Sequence, residues 1–261
     1  MAESVIINSV DRALDVIIYL YNQNRECSVT EIASALNAYK STVFRTLYTL
    51  ENKGFVQQNQ ETEKYKLGPK LYLIALSVDS EKFLAKFIAP YAKEINKEFN
   101  ECINVSILTN DYNGVYNSII IHKEKSTLSL NANNALDNFT ECYCSAVGKC
   151  LLAYNDVDLS IYEEHPMVKY TDTTITDIPT LKKELADIRE KGYALDNEER
   201  EIGMFCIAVP IFMNGKIVAS MSISGATNRM RQSPTKFLNM LETLKKQGEM
   251  VSKELSIRKS I

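Results

Sequence analysis

The stretch from Ser28 to Val56 reads SVTEIASALNAYKSTVFRTLYTLENKGFV and contains two helical patterns separated by a short segment. The first pattern is an apolar stripe formed by Val29, Ile32, Ala33 and Leu36. The second stripe is formed by Val43, Leu47 and Leu50. Residues spaced by three and four lie on one face of a helix, so each stripe predicts a helix with one buried side. Residues 37–39 between the stripes are enough for a turn only.

Two helices joined by a tight turn fit either an ordinary packed hairpin or a helix-turn-helix, whose second helix enters the major groove of DNA. The flanking sequence favours the second interpretation. Residues 14–20 predict a third, upstream helix that helps to close a small core, and Gly54 is typical of a helix C-terminus. Two short strand patterns, 55–58 and 64–67, flank the polar loop 59–63 and predict a wing.

The second helix would leave its other face for a partner. The expected base-edge contacts are Ser41, Thr42, Phe44 and Arg45, and the expected phosphate contacts are Lys40, Lys64 and Lys66. Arg45 is best suited to bidentate recognition of guanine, whereas core packing is an equal alternative for Phe44. Residues 1–75 contain eight Lys/Arg and eight Asp/Glu, so each chain offers few phosphate contacts. We therefore expect a homodimer or a dimer of dimers that reads two half-sites of operator DNA.

The pattern from Ser28 through Leu71, ending in YKLGPKLYLIA, resembles the DNA-binding domain of the IclR family of bacterial transcription regulators. Three later segments resemble the effector-binding half of that family: CYCSAVGKCLLAY (142–154), IREKGYALDNEEREIGMFCIAVPI (188–211) and VASMSISG (218–225). The resemblance covers nearly the whole chain in the same order. It implies a DNA-binding transcription regulator, by default a repressor, that is controlled by a small organic-acid effector bound in a GAF-like domain.

The expected fold class is α+β, with an antiparallel sheet in the effector-binding domain. We expect the winged domain at residues 1–75, a linker helix that helps dimerisation at 76–90, and the effector-binding domain at 91–261. In that domain Ile103, Val105 and Ile107 alternate with other residues and predict a strand. Other expected elements are strands at 115–121, 127–130 and 193–195, hairpin turns at Asn113-Gly114 and Asn214-Gly215, and helices at 146–154, 180–191 and 234–255.

The segment that begins at Ser145 predicts an anion site. Ser145 suits a helix N-cap, and the free N–H groups of the next three residues would hold a small anion. These residues are Ala146, Val147 and Gly148. Lys149 is expected on the solvated face of the same helix.

A row of hydroxyl groups is predicted on a strand near residue 222. Ser220, Ser222 and Ser224 alternate with apolar residues, so the strand either faces solvent or serves a polar ligand. A buried hydroxyl without a partner costs about 1–3 kcal/mol. The family resemblance implies that residues matching Asp196, Cys206, Ser222 and Ser224 contact the effector. We expect the acids near Asp196 to be solvated, namely Glu198, Glu199 and Glu201.

Cys206 presents a geometric difficulty. A regular hairpin with Asn214-Gly215 as its two-residue turn would pair residue 205 with Ser224 and point Cys206 away from the serines. A shared pocket requires an odd offset between the two strands. We therefore predict a β-bulge or similar irregularity between Ile207 and Lys216, for which Pro210 is a natural marker.

Composition is that of a globular protein, with 45% hydrophobic and 24% charged residues and a net charge of -3. No apolar run reaches the roughly 20 residues of a membrane span, and no basic region precedes an apolar core near residue 1. The sequence thus predicts a cytoplasmic protein without membrane association or cofactor. The six cysteines, at 27, 102, 142, 144, 150 and 206, are expected to be reduced thiols.

Three alternatives remain open at this stage. Tyr143 stands where many members of the family carry His, and it lies between Cys142 and Cys144. Together with Cys206 these thiols permit a metal- or redox-responsive regulator, although we predict no metal site. A cysteine-dependent enzyme using Cys206 would need a base, and neither histidine lies in a motif. A winged helix that binds protein rather than DNA is the third alternative.

Overall fold

The computed structural model describes residues 6–76, 79–111, 113–129 and 139–258. The chain divides into two compact units, Met1–Asp79 and Ser80–Ile261. None of the helices within the described ranges is both long and apolar enough to cross a membrane.

The first unit is a winged helix-turn-helix. Its elements are α1 (Asn8–Gln23), α2 (Val29–Ala35), α3 (Lys40–Asn52), β1 (Val56–Gln58), β2 (Tyr65–Leu67) and α4 (Pro69–Leu76). The two strands pair antiparallel and form the wing. Gly54 adopts a left-handed conformation after α3, with φ of 76°. The helices, the turn and the wing predicted from the sequence are therefore confirmed.

Local hydrogen bonds explain why α2 begins where it does. The Ser28 side chain accepts a hydrogen bond from the N–H of Glu31 at 3.2 Å, and the Ser28 N–H donates to the Glu31 carboxylate at 2.7 Å. This capping box satisfies two backbone groups that the helix cannot satisfy itself. The hydrogen bonds from Ser28, followed by the one from Arg25, lower the pKa of Glu31 to about 2.

The core of the first unit is built from the predicted stripes. Its buried residues include Val16, Leu20, Ile32, Val43 and Leu47. Burying one such side chain contributes roughly 1.5–3 kcal/mol, so this packing orients α3 on the unit. The wing is joined to the segment before α2 by a pair of backbone hydrogen bonds between Cys27 and Tyr65, at 2.9 and 2.8 Å.

The second unit contains a six-stranded antiparallel sheet in the order β5-β4-β3-β8-β7-β6. Its strands are β3 (Cys102–Asn110), β4 (Tyr116–Glu124), β5 (Phe139–Glu141), β6 (Ala194–Asn197), β7 (Met204–Met213) and β8 (Lys216–Ala226). Its helices are α5 (Asp79–Phe99), α6 (Ala146–Tyr154), α7 (Ile161–Glu164), α8 (Ile178–Lys191), α9 (Thr227–Met230) and α10 (Pro234–Arg258). A 3-10 turn at Cys142–Cys144 precedes α6. The predicted α+β class is confirmed.

Apolar residues cover both faces of this sheet. One face packs its Val105 and Ile207 in a core with Ile88 of α5 and Leu244 of α10. The opposite face contributes residues such as Ala208 to a second core. That second core also contains Leu152 of α6 and Leu185 of α8. The helix α6 therefore lies over the face that carries the polar residues described below.

The predicted linker and one predicted strand differ from the structure. Residues 80–90, expected in a linker, belong to the second unit because Ile88 is fully buried in its core. The helix continues past residue 90, and Pro90 lies inside α5. The strand expected at 127–130 is wrong for residues 127–129, and Leu130 lies outside the described residues. There the N–H of Thr127 donates to the Asn100 side chain at 3.1 Å instead of joining a strand ladder.

Two β-bulges alter which side chains share a face. In the β3–β4 pair, the register shifts between Val105 and Ser106, so Ile121 has no direct partner. In the β7–β8 pair, the register shifts between Ile211 and Phe212, so Val218 has none. The second bulge confirms the irregularity predicted between Ile207 and Lys216. The extra residue is on β8, however, and Pro210 itself pairs with Ser220 beyond the end of the β6–β7 ladder.

Candidate DNA-binding surface and effector cavity

The outer face of α3 is exposed over its whole length. Its inner row is buried at Val43, Leu47 and Leu50. Phe44 is 52% exposed, so the core-packing alternative for this residue is wrong. The exposed residues on this helix include Lys40, Ser41, Phe44, Arg45 and Tyr48, whereas Thr42 is half-buried. The helix thus offers cationic, hydroxyl and aromatic groups on one side.

Glu26 holds the wing loop in place. Its carboxylate accepts hydrogen bonds from the Asn59 side-chain amide at 3.0 Å and from the Thr62 hydroxyl at 3.0 Å. These bonds lower the pKa of Glu26. Lys66 lies 3.6 Å from the same carboxylate, and Lys64 is half-buried. The two wing lysines are therefore present near the surface, with Lys66 partly neutralised by Glu26.

A cavity of about 160 Å³ lies in the second unit, over the sheet face that α6 covers. The predicted effector contacts among its lining residues are Ala146, Val147, Asp196, Cys206, Ser222 and Ser224. The other lining residues, which were not predicted to contact the effector, are Asn104, Ser106, Ser118, Ile120, Lys123, Thr140, Ser145 and Arg200. Most of them are polar.

The β7–β8 bulge is the reason that Cys206 reaches this cavity. It places Cys206 directly opposite Ser224, and Asp196 of β6 is directly opposite Cys206. Directly opposed residues share a face of the sheet, so the three side chains form a row across β6, β7 and β8. Ser222 lies opposite Asn104 in the next row.

The bulge in β4 has the same consequence for Lys123. Asn104 pairs with Lys123, and Ser106 pairs with Ile120. One residue lies between the first members of these pairs on β3, whereas two residues lie between their partners on β4. Uninterrupted alternation from Ile120 would place His122 on the cavity face, whereas the bulge places Lys123 there. A lysine side chain on this strand therefore lines the cavity beside the serines.

The serines on β8 are buried, which excludes the solvent-facing alternative. Ser220, Ser222 and Ser224 are 0%, 2% and 3% exposed. Ser220 donates a hydrogen bond to the carbonyl of Val209 at 3.1 Å. Ser222 and Ser224 lie 3.4 Å apart, and the Asn104 amide donates to Ser224 at 3.4 Å. These last two contacts are longer than the usual 2.5–3.2 Å, so both hydroxyls retain capacity for a ligand.

The anion site predicted at the start of α6 requires one correction. Ser145 caps the helix as expected, but its side chain accepts a hydrogen bond from the N–H of Gly148 at 3.2 Å. A Cβ on Gly148 would approach the Cα of Cys142 to 2.3 Å, so this glycine allows close backbone packing and does not line the cavity. Ala146 and Val147 do line it, and the first N–H groups of a helix have no acceptor within the helix.

Lys149 and Glu199 were both expected in solvent, and both expectations are wrong. Lys149 is 1% exposed, and its Nζ lies 2.5 Å from Glu199 Oε1 and 3.2 Å from Glu184 Oε1. Burial raises the pKa of Glu199, although the nearby ammonium of Lys149 opposes the change. The hydroxyl of Thr174 also holds this loop, by donating to the Glu199 carbonyl at 2.6 Å.

Asp196 is the acid of the cavity wall. It is 4% exposed, and its Oδ1 accepts a hydrogen bond from the N–H of Glu199 at 2.8 Å. Burial raises the pKa of Asp196 to about 7 and outweighs the backbone hydrogen bond that lowers it. Near neutral pH this side chain can therefore donate or accept a hydrogen bond.

Arg200 stands at one side of the cavity. Its guanidinium lies 2.5 Å from the Glu141 carboxylate and stacks over the Tyr170 ring at 4.0 Å. The Tyr170 hydroxyl donates to the same carboxylate at 2.6 Å. The loop after β6 thereby binds to the end of β5. A basic residue inside a stretch of acids was visible in DNEER, but its partner Glu141 lies 59 positions away in the chain.

The thiols named in the metal and redox alternatives are largely buried. Cys142 and Cys144 are fully buried, and burial raises the pKa of Cys144 to about 12. Burial also raises the pKa of Cys206. Metal binding and oxidation both require thiolates, which this environment disfavours. In the part of the chain that the structure describes, no group of three or more His, Cys, Asp or Glu residues could hold a metal ion.

The fold and the two sites define a class: a DNA-binding regulator with a winged helix-turn-helix unit and a separate sheet domain that contains a polar cavity. The family description "IclR helix-turn-helix domain" matches residues 9–60. The description "Bacterial transcriptional regulator IclR C-terminal" matches residues 77–253. The chain therefore belongs to the IclR family of bacterial transcriptional regulators. It is a transcription regulator and not an enzyme.

Two similar proteins come from Escherichia coli K12. The DNA-binding transcriptional repressor YiaJ is 33% identical over 95% of this chain and 87% of its own length. The regulator KdgR is 32% identical over 90% of each chain. Among solved structures, the Thermotoga maritima IclR matches with a TM-score of 0.72 at 29% identity, over 96% of this chain and 100% of that one.

An IclR homologue from Microbacterium hydrocarbonoxydans, solved in complex with 4-hydroxybenzoate, matches with a TM-score of 0.78. The match covers 95% of this chain and 98% of that one. At 19% identity this likeness shows the shared fold.

Proposed function

We propose that this regulator is a sequence-specific repressor that binds operator DNA in the cytoplasm as a homodimer or a dimer of dimers. A small organic acid bound in the cavity controls its affinity for DNA. The observation that carries the proposal is the exposed outer face of α3. The buried residues Val43 and Leu47 on the opposite face hold this helix in the core of the first unit. Repression is supported by the repressor name of YiaJ, which aligns over 95% of this chain.

The proposed DNA contacts follow from exposure and charge. Ser41, Thr42, Phe44 and Arg45 approach base edges, and Lys40, Lys64 and Lys66 contact phosphates. Arg45 is exposed on the same side as Phe44, and its guanidinium can donate two parallel hydrogen bonds to guanine. Lys66 would exchange its 3.6 Å contact with Glu26 for a phosphate when DNA binds.

The proposed effector contacts combine the start of α6 with the serine row. The N–H groups of Ala146 and Val147 receive the carboxylate of the acid, helped by the positive end of the helix dipole. Asp196, Cys206, Ser222 and Ser224 contact the rest of the molecule. That a homologue of this fold holds an organic acid, 4-hydroxybenzoate, is in line with this class of ligand.

The acid acts by linkage between two sites. It shifts the regulator between two arrangements only to the extent that it binds one arrangement more tightly. Couplings of this type amount to about 1–3 kcal/mol, which is a change of roughly 5- to 150-fold in affinity for DNA.

Self-association is supported by exposed apolar residues in the first unit. Val10, Leu14 and Ile18 recur every four residues along α1 and are 53%, 53% and 55% exposed. Tyr72 and Leu73 of α4 are also exposed. Exposed apolar stripes on a helix commonly mark contacts with another chain, and we assign this stripe to a second copy.

DNA recognition is tested by selecting duplexes from a random library with the full chain. Fluorescence anisotropy then compares the best selected duplex with a scrambled duplex of equal length at several salt concentrations. We expect clear preference for the selected duplex at every salt concentration, because base contacts are less sensitive to salt than phosphate contacts. Equal affinity for both duplexes would refute the proposal.

The dimer is tested by sedimentation equilibrium of wild type, Leu14→Lys and the control Asp15→Lys, which alters another exposed position of α1. We expect Leu14→Lys to weaken self-association and the control to leave it near the wild-type value. If both variants sediment as wild type does, α1 is not the contact surface.

A further inference from the structure

We propose that the effector is a short carboxylic acid with several hydroxyl groups, whose hydroxylated end is bound by Asn104, Ser106 and Ser118 on β3 and β4. This inference rests on the proposed function, in which the carboxylate binds at the start of α6. It adds a second wall to the site and names the chemical class that the wall selects.

Ser106 provides the observation that points to a ligand. Its side chain is completely buried, and it lines the cavity. Its Oγ has no hydrogen-bond partner in the described part of the chain. Buried hydroxyls normally have a partner, and an unpartnered one destabilises the fold. A ligand hydroxyl that enters the cavity would supply the missing hydrogen bond.

The neighbours of Ser106 extend this polar wall. Asn104 lies two residues earlier on the same strand and therefore on the same face, next to Ser222 of β8. Ser118 pairs with Thr140 of β5 on the other side. The Asn104 amide makes a 3.4 Å contact with Ser224, and the Ser118 hydroxyl makes a 3.3 Å contact with the Thr140 carbonyl. Both contacts are long, so these groups can also bind a ligand.

The composition of the wall decides between classes of acid. Ligand cavities are usually lined by apolar and aromatic side chains with few polar groups. Here no described lining residue is aromatic. Seven lining residues carry a hydroxyl or an amide, namely Asn104, Ser106, Ser118, Thr140, Ser145, Ser222 and Ser224. Beside an aromatic or alkyl acid Ser106 would stay buried without a partner, whereas a hydroxyl group on a carbon chain would pair with it. Further hydroxyl groups could pair with Asn104 and Ser118, whose contacts within the protein are long.

Size and charge restrict the ligand further. The cavity of about 160 Å³ is small, because pockets for drug-sized ligands are typically about 300–1,000 Å³. A short carbon chain is therefore appropriate. Lys123 and Arg200 line the cavity and favour an anion, while buried Asp196 can pair with a hydroxyl group.

Isothermal titration calorimetry on the full chain at pH 7 tests the ligand class. The probes are 2,3,4-trihydroxybutanoate in its separate stereoisomers, butanoate, which has the same carbon chain without hydroxyls, and 4-hydroxybenzoate. We expect at least one trihydroxybutanoate to bind more than tenfold more tightly than the other two acids. Equal or tighter binding of butanoate or 4-hydroxybenzoate would overturn this inference. The broader proposal, that the effector is a small organic acid, would still hold.

Two serine variants test the role of the polar wall. Ser106→Ala removes the unpartnered hydroxyl and should weaken the trihydroxybutanoate by about two- to tenfold, the effect of one neutral hydrogen bond. It should leave the melting temperature of the free protein unchanged or higher. The control Ser220→Ala removes the hydroxyl bonded to Val209 at 3.1 Å, so it should lower the melting temperature and keep the preference among acids.

The outcomes separate this inference from the function on which it rests. If Ser106→Ala lowers the melting temperature of the free protein without changing affinity, Ser106 is structural and the inference is wrong. If no acid binds while the duplex selection succeeds, this inference and the acid effector both fail, and the DNA-binding proposal remains.

Discussion

The winged unit and the sheet unit differ in how far the residues that stabilise the fold are separate from the residues proposed to bind a partner. In the first, the inner row of α3 is buried and the proposed DNA contacts stand on its outer face. In the second, the proposed ligand contacts are themselves buried, because Ser106, Ser222 and Ser224 lie inside the sheet domain. Substitutions on the outer face of α3 should therefore change binding alone, whereas substitutions of buried, partnered groups around the cavity should change stability as well.

The largest effect is expected where the sheet unit buries charge. Lys149→Met leaves Glu199 without the ammonium 2.5 Å away, and an uncompensated buried charge costs about 3–5 kcal/mol. The loss should appear in the free energy of unfolding measured with urea. Lys183→Met, an exposed position of α8, should stay within about 0.5 kcal/mol of wild type. Equal stability of the two variants would mean that the ion pair contributes nothing.

The next effect is a dependence on pH. The folded pKa of Asp196 is raised to about 7, above the value of about 3.9 for an unfolded chain. The unfolded state thus loses its proton first, so the contribution of Asp196 is complete below about pH 4 and is lost as the pH rises to about 7. The loss is about 4 kcal/mol, since each pKa unit corresponds to about 1.4 kcal/mol. Glu199, whose pKa is also raised, adds to it in the same direction.

Asp196→Asn should flatten the profile of unfolding free energy between pH 4 and 7, and it should leave the contributions of the other acids with shifted pKa values, such as Glu199 and Glu31. Asp11→Asn, at an exposed position of α1, should leave the profile unchanged. Profiles that superimpose for wild type and Asp196→Asn would show that Asp196 titrates as an ordinary exposed acid.

An intermediate effect without loss of stability is expected on α3. Arg45→Ala should reduce discrimination between the selected and scrambled duplexes by about 1–3 kcal/mol per half-site. Its melting temperature should match wild type, because the side chain is exposed. Lys216→Ala, which removes an exposed cation from the β7–β8 turn, is the control for net charge and should bind as wild type does. Unchanged discrimination in Arg45→Ala would remove this residue from the base contacts.

The smallest effect distinguishes folding from binding within the first unit. Ser28→Ala breaks the capping box of α2 and should cost about 1 kcal/mol of stability. Ser41→Ala, on the outer face of α3, should change stability by less than about 0.5 kcal/mol while weakening binding to the selected duplex. Calorimetric melting and anisotropy on both variants check this pair. An equal loss of stability in both variants would contradict the separation of roles on α3.

The first unit could be predicted well because its signals are local. Apolar spacing gave α2 and α3 and identified the exposed row, and Gly54 marked the end of α3. The exposure of Leu14 and Ile18 was not predicted, since a helix that contacts a second chain has the same apolar pattern as one that fills a core.

The cavity could be predicted only in part because it depends on strand register. The bulge near Val218 followed from the requirement that Cys206 and Ser224 share a face, and it is confirmed. The bulge at Ile121 had no comparable constraint, so Lys123 was missed. Ser106 carried a usable signal, a hydroxyl that alternates with apolar residues in a buried strand.

The errors at Lys149 and Glu199 have a common physical cause. Each residue is polar and would normally be solvated, and neither reveals from its own neighbourhood that it has a buried partner. The two residues are 50 positions apart in the chain and meet only when α6 covers the sheet. The spacing of apolar residues predicts local helices and strands, and it does not predict ion pairs between residues that are far apart in the chain.

The most direct test of the account is the affinity of the full chain for its selected duplex, measured by anisotropy with and without saturating trihydroxybutanoate. The account predicts a preference over scrambled DNA and a change of roughly 5- to 150-fold when the acid is added. A selected duplex bound no better than scrambled DNA, under both conditions, would contradict the claim that α3 reads DNA under control of the cavity.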